Sequence, residues 1–115
     1  MYDAFGRGDI PTILGALDDG VVWTSPDVLP QGGTYKGPDE VGGFFAGLAD
    51  TWEQVDVRPE AVADAGDDLV VVVADIRGTR KGGGSAHWGG VHGWEVRDGK
   101  VTRFRELTDL GEKIA

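Results

Sequence analysis

The two residues best suited to proton chemistry in this sequence are His92 and Glu106. His92 lies in the stretch HWGGVHGWEV (residues 87–96), which holds both histidines and two of the four tryptophans. An imidazole can donate a hydrogen bond or move a proton near neutral pH. Glu106 follows in the next predicted strand beside Phe104, where a carboxyl group partly removed from water suits a general acid or base. We therefore predict that His92 and Glu106 are catalytic. The alternatives are a structural histidine that bonds to Glu106 or to a backbone carbonyl, and a Glu106 that pairs with an arginine across the strands.

Whether these two side chains share a face of the sheet depends on the turn RDG between their strands. A two-residue turn at Asp98 and Gly99 would put His92 on the same face as the arginines of the last strand. A three-residue loop with Gly99 in the left-handed conformation and a bulge would put His92 with Glu106 instead. We favour the three-residue loop because it gives one aromatic face and one charged face, whereas a slip of one residue reverses every side chain.

The glycines of the same stretch predict open space beside its aromatic side chains. Gly90 falls between Trp88 and His92 on the predicted inner face, and glycine there permits a bulge or a strong bend. Space walled by indoles predicts a pocket for a small apolar molecule. The alternative is that side chains from the helices fill the gap. The predicted substrate-binding residues are Trp23, Tyr35, Phe45, Trp88, Trp94, Phe104 and Asp109.

Other candidate sites in the sequence are weaker. His87 lies near a predicted loop tip and faces away from His92, so we predict that it is on the surface. Two histidines with opposite facing make a poor metal pair, and we predict no metal and no cofactor. The loop RKGGGS lacks the strand-loop-helix setting and the Lys-Ser/Thr ending of a phosphate-binding loop.

Helices are predicted in the first half of the chain. Asp9 is a good N-cap for a helix that Gly20 ends, and a shorter helix precedes it. Gly37 opens a longer helix whose apolar stripe runs to Trp52.

Strands are predicted mainly in the second half. The strand VVWTSP ends at a proline, and DVLPQGGTYKG is predicted to be a loop. Four strands then follow in a meander. This order predicts an α+β fold with three helices packed on one face of a strongly curved antiparallel sheet. The strand LVVVVADI offers apolar side chains to both faces, so we predict a homodimer through the uncovered outer face.

Length and charge limit the possible functions. The 115 residues fit one domain over residues 1–115. The net charge of −9 argues against nucleic acid or an anionic membrane as a partner. There is no cysteine, no apolar run of membrane-spanning length and no signal peptide pattern. We therefore predict a cytoplasmic protein without thiol chemistry.

Three segments resemble the SnoaL-like group of the NTF2-like superfamily: FGRGDIPTILGALDDGVVWTSP, GTYKGPDEVGGFF and WEVRDGKVTRFRELTD. The resemblance covers nearly the whole chain in order. It implies a cone-shaped α+β fold that encloses a pocket, and dimers are common in the family. Members include polyketide cyclases, ketosteroid isomerase, limonene epoxide hydrolase and binding modules without activity, so the fold alone does not give the function.

The resemblance also assigns roles by position. The isomerase's catalytic base corresponds to Ser25, so that base is missing, while its hydrogen-bond-donating aspartic acid corresponds to His92. Its tyrosine falls at or near Met1, where Tyr2 could substitute for it. The first helix of the family is usually longer, which implies that family residues are lacking at the start. The acid/base carboxylate of the polyketide cyclases corresponds to Glu106. Steroid isomerisation is therefore not expected.

Two functions remain open at this point. The first is an enzyme of the SnoaL-like type that uses acid/base proton transfer, in cyclase, isomerase or lyase/hydratase chemistry, on a small apolar carbonyl compound. The second is a ligand-binding or scaffold domain with no enzymatic activity. An open cavity that both His92 and Glu106 face would favour the enzyme, and a cavity filled by tryptophan side chains would favour the scaffold.

Overall fold

The computed structural model describes residues 2–66 and 68–108. The three helices are α1 (Tyr2–Gly6), α2 (Ile10–Gly15) and α3 (Gly37–Thr51). The six strands are β1 (Leu17–Ser25), β2 (Gly33–Lys36), β3 (Trp52–Asp64), β4 (Leu69–Arg80), β5 (Ser85–Arg97) and β6 (Lys100–Thr108). The predicted α+β class is confirmed. None of the helices in the described part of the chain is long and apolar enough to cross a membrane.

The strands form one sheet in the order β2-β1-β6-β5-β4-β3. Neighbouring strands are antiparallel except for β1 and β6, which are parallel, so the sheet is mixed rather than purely antiparallel. The meander from β3 to β6 places β6 beside β1, on the side of β1 that does not pair with β2. Strands β1 and β6 run in the same direction. Local patterns along the sequence carry no information about that return, which is why the prediction missed it.

Three local boundaries differ from the prediction. Helix α2 ends at Gly15 rather than Gly20, because Leu17 already pairs with β6. The segment Gly33–Lys36, predicted as loop, pairs with β1 as an edge strand. Trp52 belongs to β3 rather than to the α3 stripe, since its backbone is extended although its N–H still bonds to the carbonyl of Leu48.

The turn before β6 combines features of both registers considered above. Asp98 and Gly99 both have positive φ, 52° and 78°, and they form a two-residue turn with Val96 opposite Val101. The three-residue loop is therefore wrong. A bulge at Thr102 then shifts the register by one residue, so the predicted facing of the side chains is still found.

The core lies between the helices and the inner face of the sheet. Its larger cluster joins buried residues of all three helices to Trp23, Trp94 and Phe104. A smaller cluster surrounds Trp52, whose ring packs against the backbone of β4 at Gly78. A Cβ on Gly78 would lie 2.7 Å from that ring. These two aromatic clusters border the space in which the candidate site lies.

Candidate active site

A cavity of about 100 Å³ opens between the helices and the inner face of the sheet. Seven of the nine predicted site residues line it: Trp23, Phe45, Trp88, His92, Trp94, Phe104 and Glu106. Tyr35 does not; its hydroxyl donates to the carbonyl of Gln31 and its ring packs on Phe44. Asp109 lies outside the described residues.

The imidazole of His92 is held at one nitrogen and unpaired at the other. The residue is 4% exposed, and Nδ1 lies 2.8 Å from the hydroxyl oxygen of Tyr2. Nε2 has no hydrogen-bond partner among the described residues, and its nearest charged neighbour is Oε1 of Glu106 at 3.7 Å. Phe104 packs against the ring at a centroid distance of 5.2 Å. The ring is therefore fixed, with Nε2 on the side of Glu106.

Glu106 lies directly opposite His92 in the β5–β6 pairing. Its side chain is 12% exposed, and Oε2 accepts a long hydrogen bond of 3.5 Å from Nε1 of Trp88. Neither lysine nor arginine occurs among the described residues that line the cavity. The arginines of β6 lie on the outer face, where Arg103 pairs with Glu95. Among the described residues that line the cavity, Glu106 is thus the one acidic side chain, and it has no basic counterpart other than His92.

Gly90 makes room for this pair. A Cβ at this position would lie 3.4 Å from Nε2 of His92, 3.4 Å from Oε2 of Glu106 and 2.9 Å from Cδ1 of Ile76. Because Gly90 has no side chain, space remains directly beside Nε2 of His92 and Oε2 of Glu106. This explains why glycine interrupts the aromatic residues of β5.

Three polar residues of the cavity were not selected from the sequence as site residues. Tyr2 was considered only as a substitute for the isomerase tyrosine, yet its hydroxyl joins His92 to Nε1 of Trp94, which donates to it at 2.9 Å. Burial raises the pKa of Tyr2 to about 12. Ser25 is 4% exposed, and Oε1 of Gln31 has no partner in the described structure. The family resemblance marked Ser25 only as the position of the missing isomerase base, and no motif marks Gln31, because only the folded chain brings it to the cavity.

The second histidine lies on the opposite face. His87 is exposed, as its parity predicts, and Nε2 contacts Oδ1 of Asp75. The hydrogen bond from His87 lowers the pKa of that carboxyl group. Within residues 2–66 and 68–108, no three His, Cys, Asp or Glu side chains cluster as a metal site requires. That the protein binds no metal and no cofactor stays a prediction.

Comparison with known proteins agrees with the fold and identifies the family. The chain belongs to the SnoaL-like domain family, whose model matches residues 1–104. No curated protein matches it.

Solved structures of similar proteins cover nearly the whole chain. An NTF2-like protein of unknown function from Burkholderia pseudomallei is 34% identical, with a TM-score of 0.87 over 98% of this chain and 88% of that one. TerC, crystallised with polyporic acid, is 29% identical, with a TM-score of 0.86 over 98% and 88%. A protein from Xanthomonas campestris provisionally assigned as a polyketide cyclase is 25% identical, with a TM-score of 0.82 over 98% and 87%.

Proposed function

We propose that this protein is an enzyme that moves a proton on a small, apolar carbonyl compound bound in the cavity. One observation carries the proposal: Nε2 of His92 and Oε1 of Glu106 lie 3.7 Å apart at the same apolar cavity, and Nε2 has no hydrogen-bond partner among the described residues. A buried polar atom without a partner is costly, and a ligand oxygen would relieve that cost.

The reaction divides between the two residues. Glu106 removes a proton from a carbon next to the carbonyl, so the C–H bond breaks, its electron pair forms the C=C bond of the enolate, and the π electron pair of the carbonyl moves onto the oxygen. His92 donates a hydrogen bond from Nε2 to that oxygen as its charge grows, which stabilises the enolate. Glu106 then returns the proton to carbon. Return to a different carbon is isomerisation. In cyclisation the enolate carbon instead attacks a second carbonyl of the same molecule, and Glu106 gives its proton to the oxygen of that carbonyl.

The lining of the cavity limits the ligand to neutral, flat and apolar molecules. Indole and phenyl rings of Trp23, Trp88, Trp94 and Phe104 offer stacking surfaces. An anionic ligand would lie close to Glu106 with no lysine or arginine in the described lining to offset the repulsion. TerC was crystallised with polyporic acid, and this observation is consistent with a small-molecule ligand for this fold.

A ligand-binding or scaffold domain without chemistry is the second candidate. The close packing of the aromatic rings favours it. Trp23 lies 4.1 Å from Phe104 and 5.7 Å from Trp94 between ring centroids, which reduces the space left for a substrate. The two functions differ in one measurable property, since only the enzyme breaks a C–H bond.

The test uses indanone, a flat bicyclic ketone with hydrogens next to its carbonyl. In D₂O, NMR follows the replacement of those hydrogens by deuterium, and a titration in H₂O measures binding of the same ketone. The enzyme accelerates the exchange above the rate in buffer. A scaffold domain binds the ketone, or fails to bind it, without any acceleration.

Replacing His92 with alanine is expected to lower the exchange rate by about 10²–10⁴-fold, because the enolate oxygen loses its donor. Binding of indanone should change much less than the rate. The matched control is His87→Ala, the exposed histidine of the same strand, which should leave the rate unchanged. A loss of binding larger than the loss of rate would make His92 a binding residue rather than a catalytic one.

We also propose that the protein is a homodimer through the outer face of the sheet. Ala61, Val73, Val91 and Leu107 form a row that pairs directly across β3, β4, β5 and β6. Val73, Val91 and Leu107 are 43%, 39% and 60% exposed, a degree of apolar exposure that is typical of an interaction surface.

Sedimentation at micromolar concentration is expected to show a dimer, and Val91→Glu is expected to convert it to a monomer, because a charge would be buried in the apolar centre of the interface. The matched control is Val62→Glu. Val62 is 67% exposed, but it pairs with the buried Val72. It therefore belongs to the set of alternate β3 residues on the inner face of the sheet, not to the outer-face row. A wild-type protein that sediments only as a monomer would refute the dimer.

A further inference from the structure

We propose that Tyr2 is a positioning residue that keeps neutral His92 in one tautomer, with the proton on Nε2. The hydroxyl oxygen of Tyr2 lies 2.8 Å from Nδ1 of His92 and 2.9 Å from Nε1 of Trp94. This chain of hydrogen bonds decides whether Nε2 of His92 presents a hydrogen or a lone pair to a ligand. The consequence for catalysis rests on the proposed function, since His92 stabilises a ligand oxygen only if Nε2 carries a hydrogen.

The hydrogen on Tyr2 has one acceptor within bonding distance in the described structure. An indole N–H can only donate, so Trp94 occupies a lone pair of the Tyr2 oxygen. The hydroxyl hydrogen of Tyr2 is then free to point at Nδ1 of His92. Burial raises the pKa of Tyr2 to about 12, so the hydroxyl keeps its hydrogen at neutral pH. Nδ1 therefore accepts a hydrogen bond and carries no hydrogen of its own in neutral His92.

The other side of the imidazole leads to the same assignment. Nε2 lies 3.7 Å from Oε1 of Glu106. A proton on Nδ1 would turn the lone pair of Nε2 towards a carboxylate oxygen and would leave the Tyr2 hydrogen without an acceptor in a partly buried position. A proton on Nε2 removes both conflicts. Tyr2 and Glu106 thus favour one tautomer from opposite sides of the ring.

The packing around Tyr2 supports a fixed geometry. Its ring is stacked parallel to the His92 ring, with an interplanar angle of 4° and a centroid distance of 5.9 Å. The ring of Trp94 meets Tyr2 edge-on at 5.8 Å. Tyr2 lies on α1, so docking of this short helix against β5 prepares His92 before any ligand arrives. We therefore expect Tyr2 to act through His92.

NMR of protein labelled at its histidine nitrogens tests the assignment without a ligand. At a pH where the imidazole of His92 is neutral, it should show a single tautomer with the proton on Nε2 and with Nδ1 as a hydrogen-bonded acceptor. Tyr2→Phe should move the Nδ1 resonance towards that of a nitrogen without a hydrogen bond. The control is Tyr35→Phe, which removes the other tyrosine hydroxyl of the chain and should leave both His92 resonances unchanged. A proton on Nδ1 in the wild type, or an unchanged Nδ1 resonance in Tyr2→Phe, would overturn the proposal.

Deuterium exchange into indanone separates this proposal from the proposed function. Tyr2→Phe should lower the maximal exchange rate on the order of tenfold with little change in KM, as for partners that orient a functional histidine. If the wild type exchanges indanone but His92 carries its proton on Nδ1, the function stands and the role of Tyr2 is wrong. If Nε2 carries the proton and Tyr2→Phe moves the Nδ1 resonance but no exchange occurs, Tyr2 positions His92 as described and the enzymatic function is wrong. The wild-type spectrum decides the tautomer even if Tyr2→Phe fails to fold.

Discussion

Replacing Glu106 with glutamine is expected to lower the rate of deuterium exchange into indanone by about 10²–10⁴-fold. Glutamine has nearly the same size and can still accept the long hydrogen bond from Nε1 of Trp88. It cannot take a proton from carbon, so the change removes the chemistry and keeps the shape. The dissociation constant of indanone should therefore stay close to that of the wild type.

Glu95→Gln is the matched control for this change. Glu95 lies on the outer face of β5 and pairs with Arg103 at 3.2 Å, away from the cavity. Its loss should leave the exchange rate unchanged, because an exposed ion pair contributes little to stability or to a distant site. A rate for Glu106→Gln within about threefold of the wild type would remove Glu106 from the mechanism.

Gly90→Ala is expected to reduce the same rate by about 10²-fold, because a displacement of about an ångström between reacting groups has effects of this size. The new methyl group would lie 3.4 Å from both His92 Nε2 and Glu106 Oε2, and 2.9 Å from Cδ1 of Ile76. Overpacking of this kind should also lower the free energy of unfolding by about 1–3 kcal/mol.

Two further variants separate the effect on the site from the effect on packing. Gly93 lies in the same strand as Gly90, and a Cβ at this position would meet no atom within 4 Å. We therefore expect Gly93→Ala to exchange indanone at the wild-type rate. Gly90→Ala combined with Ile76→Val removes the closest contact, and this pair should recover stability but not the rate. Full recovery of the rate in the double variant would show that Gly90 serves packing alone.

The face of the sheet on which each side chain of β5 and β6 lies could be predicted from the sequence, because successive side chains of a strand alternate strictly between the two faces. The aromatic residues of β5 required one inner face, and that face placed His92 with Glu106. The turn itself was predicted wrongly. The pattern RDG fits a two-residue turn as well as a three-residue loop, and the bulge at Thr102 leaves no mark in the sequence.

Features that depend on distant parts of the chain could not be read from the sequence. The hydrogen bond between Tyr2 and His92 joins residues 90 positions apart. The parallel pairing of β1 and β6 depends on where the meander closes. Tyr35 was predicted to bind the substrate, but pairing of β2 with β1 places it against Phe44 instead. Tertiary packing decides each of these, and local patterns do not encode it.

The most direct test of the account is the exchange of hydrogens next to the carbonyl of indanone in D₂O, measured for wild-type protein at ketone concentrations that saturate binding. We predict that deuterium enters faster than in buffer and faster than with the Glu106→Gln protein, while both proteins bind indanone with similar affinity. Equal exchange rates for the two proteins, with the ketone bound to each, would contradict proton transfer by Glu106 and would leave a ligand-binding domain.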